Sequence, residues 1–209
     1  MKYFIVGDVH GCVNTYKLFL ETYWNPQKEI LIQIGDMANK GKHTYETLLF
    51  SMELSKKYPE NFIQLKGNND HLLSKKLKER GFSKEVEKLL KINKIKKNDL
   101  INWLGSLPHF WENDNFFVSH AGIDKNSDYP VKKEDLKIIY TREKLKNIGK
   151  TQFIGHVLVE MPLYDKSKNI WYLDTGAGFC KRLSGVKVKS NGKVTDIIST
   201  KVKKKDFQD

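Results

Sequence analysis

The sequence predicts an α/β protein, with a helix-wound parallel sheet in its first half and antiparallel strands in its second. Three observations predict it. Over residues 2–65, short apolar runs alternate with segments whose apolar residues recur at helical spacing. The early runs stop at Gly or Gly-Asp, as buried strands do where they feed a loop. Toward the end, strand-like runs follow one another with turn residues between them and no helical segment.

The elements read in order as follows. Residues 2–6 form a strand closed by Gly7. Residues 14–24 place Tyr16, Phe19, Leu20 and Tyr23 on one helical face. Residues 29–34 are the second strand, residues 44–57 a helix closed by Pro59, and residues 61–65 a third strand stopped at Gly67. Such a series calls for right-handed crossovers and a central parallel sheet. A helix is expected to start near His71. Residues 83–106 break the rhythm, being basic and helical without strands, and read as an insertion or cap. Then come a strand at 116–119, a helix at 133–147 and a strand at 152–154. Residues 170–173, 183–189 and 194–200 read as antiparallel strands, the last two joined through Ser190-Asn191-Gly192-Lys193, where Asn-Gly is a hairpin signal. The expected organisation is one domain over 1–200 with the basic helical insertion, then a basic tail, 201–209, whose Lys201-Val202-Lys203-Lys204-Lys205 run is a solvated end.

Composition narrows the classes. Hydrophobic residues at 39% and aromatics at 11% supply a core and exclude wholesale disorder. No apolar run approaches the roughly 18 residues of a membrane span, so no membrane partner is expected. The start, Met1 to Val6, runs into Gly7-Asp8 without the apolar core or cleavage site of a secretory leader. Two cysteines, Cys12 and Cys180, make no disulfide framework, and the expected location is the reducing cytoplasm. Lys and Arg number 37 against 25 Asp and Glu, a net +12 that suits polyanionic partners. Most lysines are scattered, as in Lys75-Lys76-Leu77-Lys78, without the aromatic interleaving of a nucleic-acid groove, so nucleic acid is not indicated.

The chemistry sits in five short clusters: Gly7-Asp8-Val9-His10-Gly11, Gly35-Asp36-Met37, Gly67-Asn68-Asn69-Asp70, Ser119-His120-Ala121-Gly122 and Gly155-His156-Val157. Each follows an apolar run, and ligand sites collect at the carboxyl ends of parallel strands. Taken singly, Asp8 suits a helix N-cap, Asn68 and Asp70 suit turns, and His120 or His156 suits a satisfied core histidine. Taken together, Asp, Asn and His without thiolate form an oxygen and nitrogen donor set for divalent Mn, Fe, Zn or Mg. A carboxylate shared between two ions about 3.5–4 Å apart would bind a phosphoryl group, acidify a bridging water and favour in-line attack. Phosphoester hydrolysis is the reaction this set suits.

The ordered series GDVHG, GDM, GNND, SHAG and GH resembles the calcineurin-like metallophosphoesterases. Further features resemble the phosphoprotein phosphatase branch, which includes bacterial and phage serine/threonine phosphatases and symmetrical dinucleoside-tetraphosphatases. Residues 35–41, Gly-Asp-Met-Ala-Asn-Lys-Gly, are similar to its GDxVDRG. Leu107-Pro108 with Phe117-Val118-Ser119-His120-Ala121-Gly122-Ile123 is similar to LP…VHAGI, Tyr140-Thr141-Arg142-Glu143 to WxRE, and Asp174-Thr175-Gly176-Ala177-Gly178 to DTGAG. The resemblance implies a four-layer β-sandwich of mixed sheets flanked by helices, and two divalent ions, manganese first. Asp8 and His10 would hold one ion, Asp36 would bridge, and Asn68, His120 and His156 would complete the other. Arg142 would clamp the substrate phosphate, with Asn68 also facing it. The implied substrates are phosphorylated proteins or nucleotides.

Two departures stand out. The branch carries a general-acid histidine where this chain has Asn69, and its partner aspartate falls at Asn39. Lys40 replaces a phosphate-binding arginine and is read as a phosphate clamp. An amide can donate a hydrogen bond but cannot deliver a proton near neutral pH. The expected enzyme therefore favours good leaving groups, with His71, Lys40 or His43 as other conceivable proton sources. Two alternatives carry different outcomes: a phosphodiesterase, or a catalytically weak metal-binding scaffold with a basic docking surface.

Overall fold

The structure, a computed structural model, describes residues 2–207. Two five-stranded sheets stack face to face. The first is built from β1 (Lys2–Val6), β2 (Glu29–Gln33) and β3 (Phe62–Gln64), all parallel. Helices α1 (Val13–Tyr23) and α2 (Thr44–Lys57) make the crossovers, and α3 (Asn68–Arg80) follows β3. Helices α4 (Lys84–Ile92) and α5 (Lys97–Ser106) come next, then β4 (Phe110–Glu112), β5 (Phe116–Ser119), α6 (Lys137–Tyr140), β6 (Thr151–Ile154), β7 (Leu163–Asp165) and β8 (Ile170–Tyr172). The chain returns to the first sheet as the hairpin β9 (Arg182–Lys189) and β10 (Val194–Lys201). The sheet orders are β10-β9-β1-β2-β3 and β4-β5-β6-β8-β7.

Strand periodicity explains the layering. On β1, Tyr3 and Ile5 face the second sheet, while Phe4 and Val6 face the helices. The middle layer joins Tyr3, Ile5, Ile32, Ile34 and Val186 with Phe116, Val118, Phe153 and Leu173. On the helix side of the first sheet, Phe4 and Leu31 pack with Tyr16, Phe19 and Leu48. Outside the second sheet, Phe117 packs with Ile138 and Ile139 of α6. The result is the expected four-layer sandwich. The 83–106 segment is helical, and its Leu90, Leu100 and Leu104 join the helix-side core.

Four expectations are corrected. Only Lys137–Tyr140 of the 133–147 segment is helical. Thr141 turns out at ψ 138°, and residues 144–146 instead bond alongside 123–125 through Lys125 N–H to the Lys144 carbonyl and Lys146 N–H to the Ile123 carbonyl. Strand β8 is antiparallel only to β7, since it pairs in parallel with β6. The Asn-Gly turn is a three-residue loop, closed by Gly192 N–H to the Lys189 carbonyl with Gly192 at φ 82°.

The tail through Phe207 is docked, not solvated; Gln208 and Asp209 lie outside the described residues. The cap residue of α1, Cys12, contributes no side-chain cap, so the helix's first N–H groups need another acceptor. Buried Asp206 supplies it, accepting from the Asn14 and Thr15 amides at 2.9 and 3.0 Å and from both their side chains. A carboxylate there also suits the helix dipole.

Candidate metal centre

Every predicted donor follows the carboxyl end of a parallel strand. Asp8 and His10 follow β1, Asp36 follows β2, Asn68 opens α3 just past β3, His120 follows β5 and His156 follows β6. The loops are tied together by backbone: Val9 and His10 N–H both reach the Asp36 carbonyl, and Gly155 N–H reaches the His120 carbonyl at 2.9 Å. His10, Asp36 and His156 all hold positive φ, at 49°, 55° and 60°. Non-glycine residues pay strain for that region, and it persists where surrounding structure holds it. At Gly155 a Cβ would lie 2.0 Å from Asp8 Oδ1, so only glycine lets this loop close over the carboxylate.

The side chains converge. Asp8, His10 and Asp36 present donor atoms all within 4.8 Å of one another, all buried. Asp36 stands between two imidazoles: its Oδ2 is 3.6 Å from His10 Nε2 and its Oδ1 is 3.5 Å from His120 Nε2. His120 Nε2 is 3.0 Å from Asn68 Oδ1, and the His120 and His156 rings lie 5.0 Å apart. The His156 backbone N–H reaches the Asp8 carboxylate at 3.4 Å.

The nitrogen chemistry fits a cation. His10 Nδ1 lies 2.9 Å from the Ala38 carbonyl and His120 Nδ1 3.2 Å from that of Ile34. A carbonyl accepts only, so His10 Nδ1 carries the proton and its Nε2 lone pair faces Asp8 and Asp36, whereas His120 has acceptor oxygens at both ring nitrogens, the Ile34 carbonyl at Nδ1 and Asn68 Oδ1 at Nε2. His156 Nε2 is buried with no partner. Burial pushes His10 and His156 down to about 4 and His120 to about 3, so all three are neutral donors at pH 7. Burial, then Asp174 and Asp36, push Asp8 well above the usual carboxylate range. Crowded buried carboxylates beside neutral imidazoles, one of them with an unpartnered Nε2 at His156, form a donor group suited to divalent cations.

The predicted catalytic residues surround this group. Asn39 Nδ2 donates to Asn69 Oδ1 at 2.8 Å, so the two amides pair directly. Asn69 in turn donates to Asp36 through its backbone at 2.9 Å and its side chain at 2.5 Å. The Lys40 ammonium lies 3.1 Å from His10 Nε2 and over the Phe179 ring. Arg142 is exposed, and its charge bears on His156 and His120. His43 turns to the tail, 2.9 Å from the Lys205 carbonyl, and His71 packs edge-on against Tyr140.

Two residues named in the sequence motifs have a positioning role that the sequence reading did not give them. Asp70 accepts the N–H groups of Asp36, Met37, Ala38 and Gly67 at 2.8–3.1 Å and so locks the Asp36 loop to the start of α3. Asp174 follows β8 and is buried beside Asp8. The signals were present: an acid three residues past Gly67, and an acid ending another strand.

Fold and rim together define a two-sheet α/β sandwich with a carboxylate and imidazole centre at its strand ends. The chain belongs to the calcineurin-like phosphoesterase family, whose model matches residues 1–179. It is 30% identical over 127 residues, 59% of this chain and 42% of the relative, to a symmetrical bis(5′-nucleosyl)-tetraphosphatase of Pseudomonas syringae pv. syringae. It is 30% identical over 164 residues, 68% of this chain and 54% of the relative, to one of Colwellia psychrerythraea. The chain thus spans about half the length of the curated relatives it matches. A solved structure provisionally named a diadenosine tetraphosphatase superposes with a TM-score of 0.72 at 20% identity, covering 97% of this chain and 94% of that one. Among the described residues, no helix is long and apolar enough to cross a membrane.

Proposed function

We propose that the chain is a two-metal phosphoester hydrolase that prefers substrates with acidic leaving groups, nucleotide phosphoanhydrides such as dinucleoside polyphosphates foremost. Asp8 and His10 would hold one ion, Asp36 both, and Asn68, His120 and His156 the other. When bound, the pair supplies Lewis acidity and an activated water. Manganese suits the oxygen and nitrogen donors, as do iron, zinc and magnesium.

The chain's own residues set the preference. Arg142 and Lys40 both bring positive charge to the rim, where a phosphate's oxygens would lie. The observation that carries the reading is the Asn39–Asn69 pair. By resemblance it falls where the branch carries a proton-delivering dyad; the two side chains touch, but an amide does not release its proton. An alkoxide leaving group therefore departs unprotonated, which is slow. A nucleoside phosphate or phenolate departs readily without help.

The test is a panel assayed with manganese: diadenosine tetraphosphate, mononucleotides, p-nitrophenyl phosphate, bis-p-nitrophenyl phosphate and a phosphoserine peptide. The anhydride and the aryl monoester should turn over at least a hundredfold faster than the peptide. A faster diester would establish a phosphodiesterase, and tight manganese binding without turnover on any of them a scaffold; either result overturns the proposal.

A further inference from the structure

Beside the metal centre lies a second concave surface. A cavity of about 900 Å³ is lined by Lys181, Arg182, Lys201, Lys203 and Lys204, with Glu160 the only carboxylate lining it among the described residues. Leu158 and Phe207 give it an apolar side. The volume lies within the range of pockets that take small-molecule ligands.

The cavity is joined to the rim by one turn of chain. The 3₁₀ turn Ala177–Phe179 packs Gly178 against the His10 ring and the Lys40 side chain, where a Cβ would lie 2.5 Å from Lys40 Cδ. Its next two residues, Cys180 and Lys181, line the cavity. Leu158, two positions past His156, lines the same cavity and packs beside Gly176. Two residues of chain span at most about 7 Å, so the nearest lining residues of the basic hollow, Cys180 and Leu158, stand within a phosphate chain's reach of the rim. Phe179 is exposed between them, with the Lys40 ammonium over its ring.

The wall is also held in place. Val202 N–H bonds the Lys181 carbonyl, Lys203 N–H bonds Thr15 Oγ1, and Asp206 locks the following turn onto α1. The lysines therefore project from a fixed backbone, which lowers the ordering cost of engaging an anion.

Resting on the hydrolase reading above, we propose that this cavity is a second anion subsite, holding the distal nucleoside-phosphate arm of a dinucleoside polyphosphate whose reacting phosphate lies at the metal rim. The five cations meet the phosphates, and the Leu158 and Phe207 surfaces offer apolar contact to the sugar and base.

Charge reversal tests it. Lys201 and Lys204 carry exposed side chains, so Lys201→Glu with Lys204→Glu leaves the backbone contacts intact; Lys181→Glu, just before β9, is a second variant. Binding of diadenosine tetraphosphate to the metal-free protein is measured by calorimetry at two salt concentrations, since screening weakens such contacts. The expected result is wild-type binding that weakens with salt and falls at least tenfold in either variant. With manganese, the ratio of kcat/KM for diadenosine tetraphosphate to that for p-nitrophenyl phosphate should fall at least fivefold. Failure of the wild type to hydrolyse any phosphate sinks the hydrolase reading, while the calorimetry still decides the subsite. Absent binding, binding and a ratio unmoved by both variants, or a loss seen only with an acidic phosphopeptide, overturns the proposal.

Discussion

Restoring the dyad is the perturbation with the largest expected effect. Asn39 and Asn69 already touch at 2.8 Å, and the Asn69 amide N–H is fixed by Asp36. Asn39→Asp with Asn69→His therefore places a carboxylate beside an imidazole without moving the backbone. General acids typically contribute about 10²–10⁴-fold, roughly 3–5 kcal/mol of barrier. That contribution falls on alkyl esters, whose alkoxide needs the proton, and nearly vanishes for p-nitrophenolate. The assay is kcat/KM along a series of aryl and alkyl monophosphates, wild type against the double variant. The wild-type plot of log rate against leaving-group pKa should be steep, and the variant's should flatten. Phosphoserine turnover should rise at least a hundredfold, with p-nitrophenyl phosphate within about threefold. A flat wild-type plot would refute the reasoning, because some other group would then be delivering the proton.

Three further outcomes are expected. Burial holds His120 at about 3 and His10 and His156 at about 4, below the ordinary 6.5, while it raises Asp70 to about 7 and Asp8 well above 3.8. Each imidazole therefore costs the folded metal-free protein stability as pH falls below 6.5, and the carboxylates offset that cost. His156→Gln, which removes one imidazole, should raise Tm at pH 5 relative to pH 7 more than in the wild type in EDTA; a pH profile identical to the wild type contradicts it. Asp206→Ala strips the acceptor from the start of α1 and should cost about 2–4 kcal/mol in urea unfolding; a change below about 0.5 kcal/mol would show the tail to be only loosely seated. Arg142→Ala should raise KM for phosphate monoesters about tenfold, with Arg142→Lys recovering only part of it, while melting temperature stays fixed because the side chain is exposed.

Much of this architecture is written in local sequence. The first three strands were legible because each is an apolar run ended by Gly, and β-branched and aromatic residues mark them. Strands β4 and β7 were not, since three residues at a sheet edge carry no periodicity. The 133–147 helix failed because Leu136, Ile138 and Ile139 mimic a helical face, yet the chain past Thr141 finds its hydrogen bonds alongside 123–125. The places of the six candidate ligands were legible because each polar residue follows directly on a strand, next to a glycine or a turn residue. Asp206 was invisible: a single acid in a lysine run looks solvated until α1 presents its unmatched N–H groups 190 residues earlier. Asp174 and Asp70 needed the same three-dimensional context, since only the fold shows which acids lie beside Asp8 and Asp36.

The central claim is that Asp36 joins two cation sites. Manganese titration of the metal-free protein, read by electron paramagnetic resonance, tests it directly. Two ions per chain with an exchange-coupled spectrum are expected in the wild type, and an uncoupled signal in Asp36→Asn. One ion per chain, or coupling that survives that substitution, would contradict it.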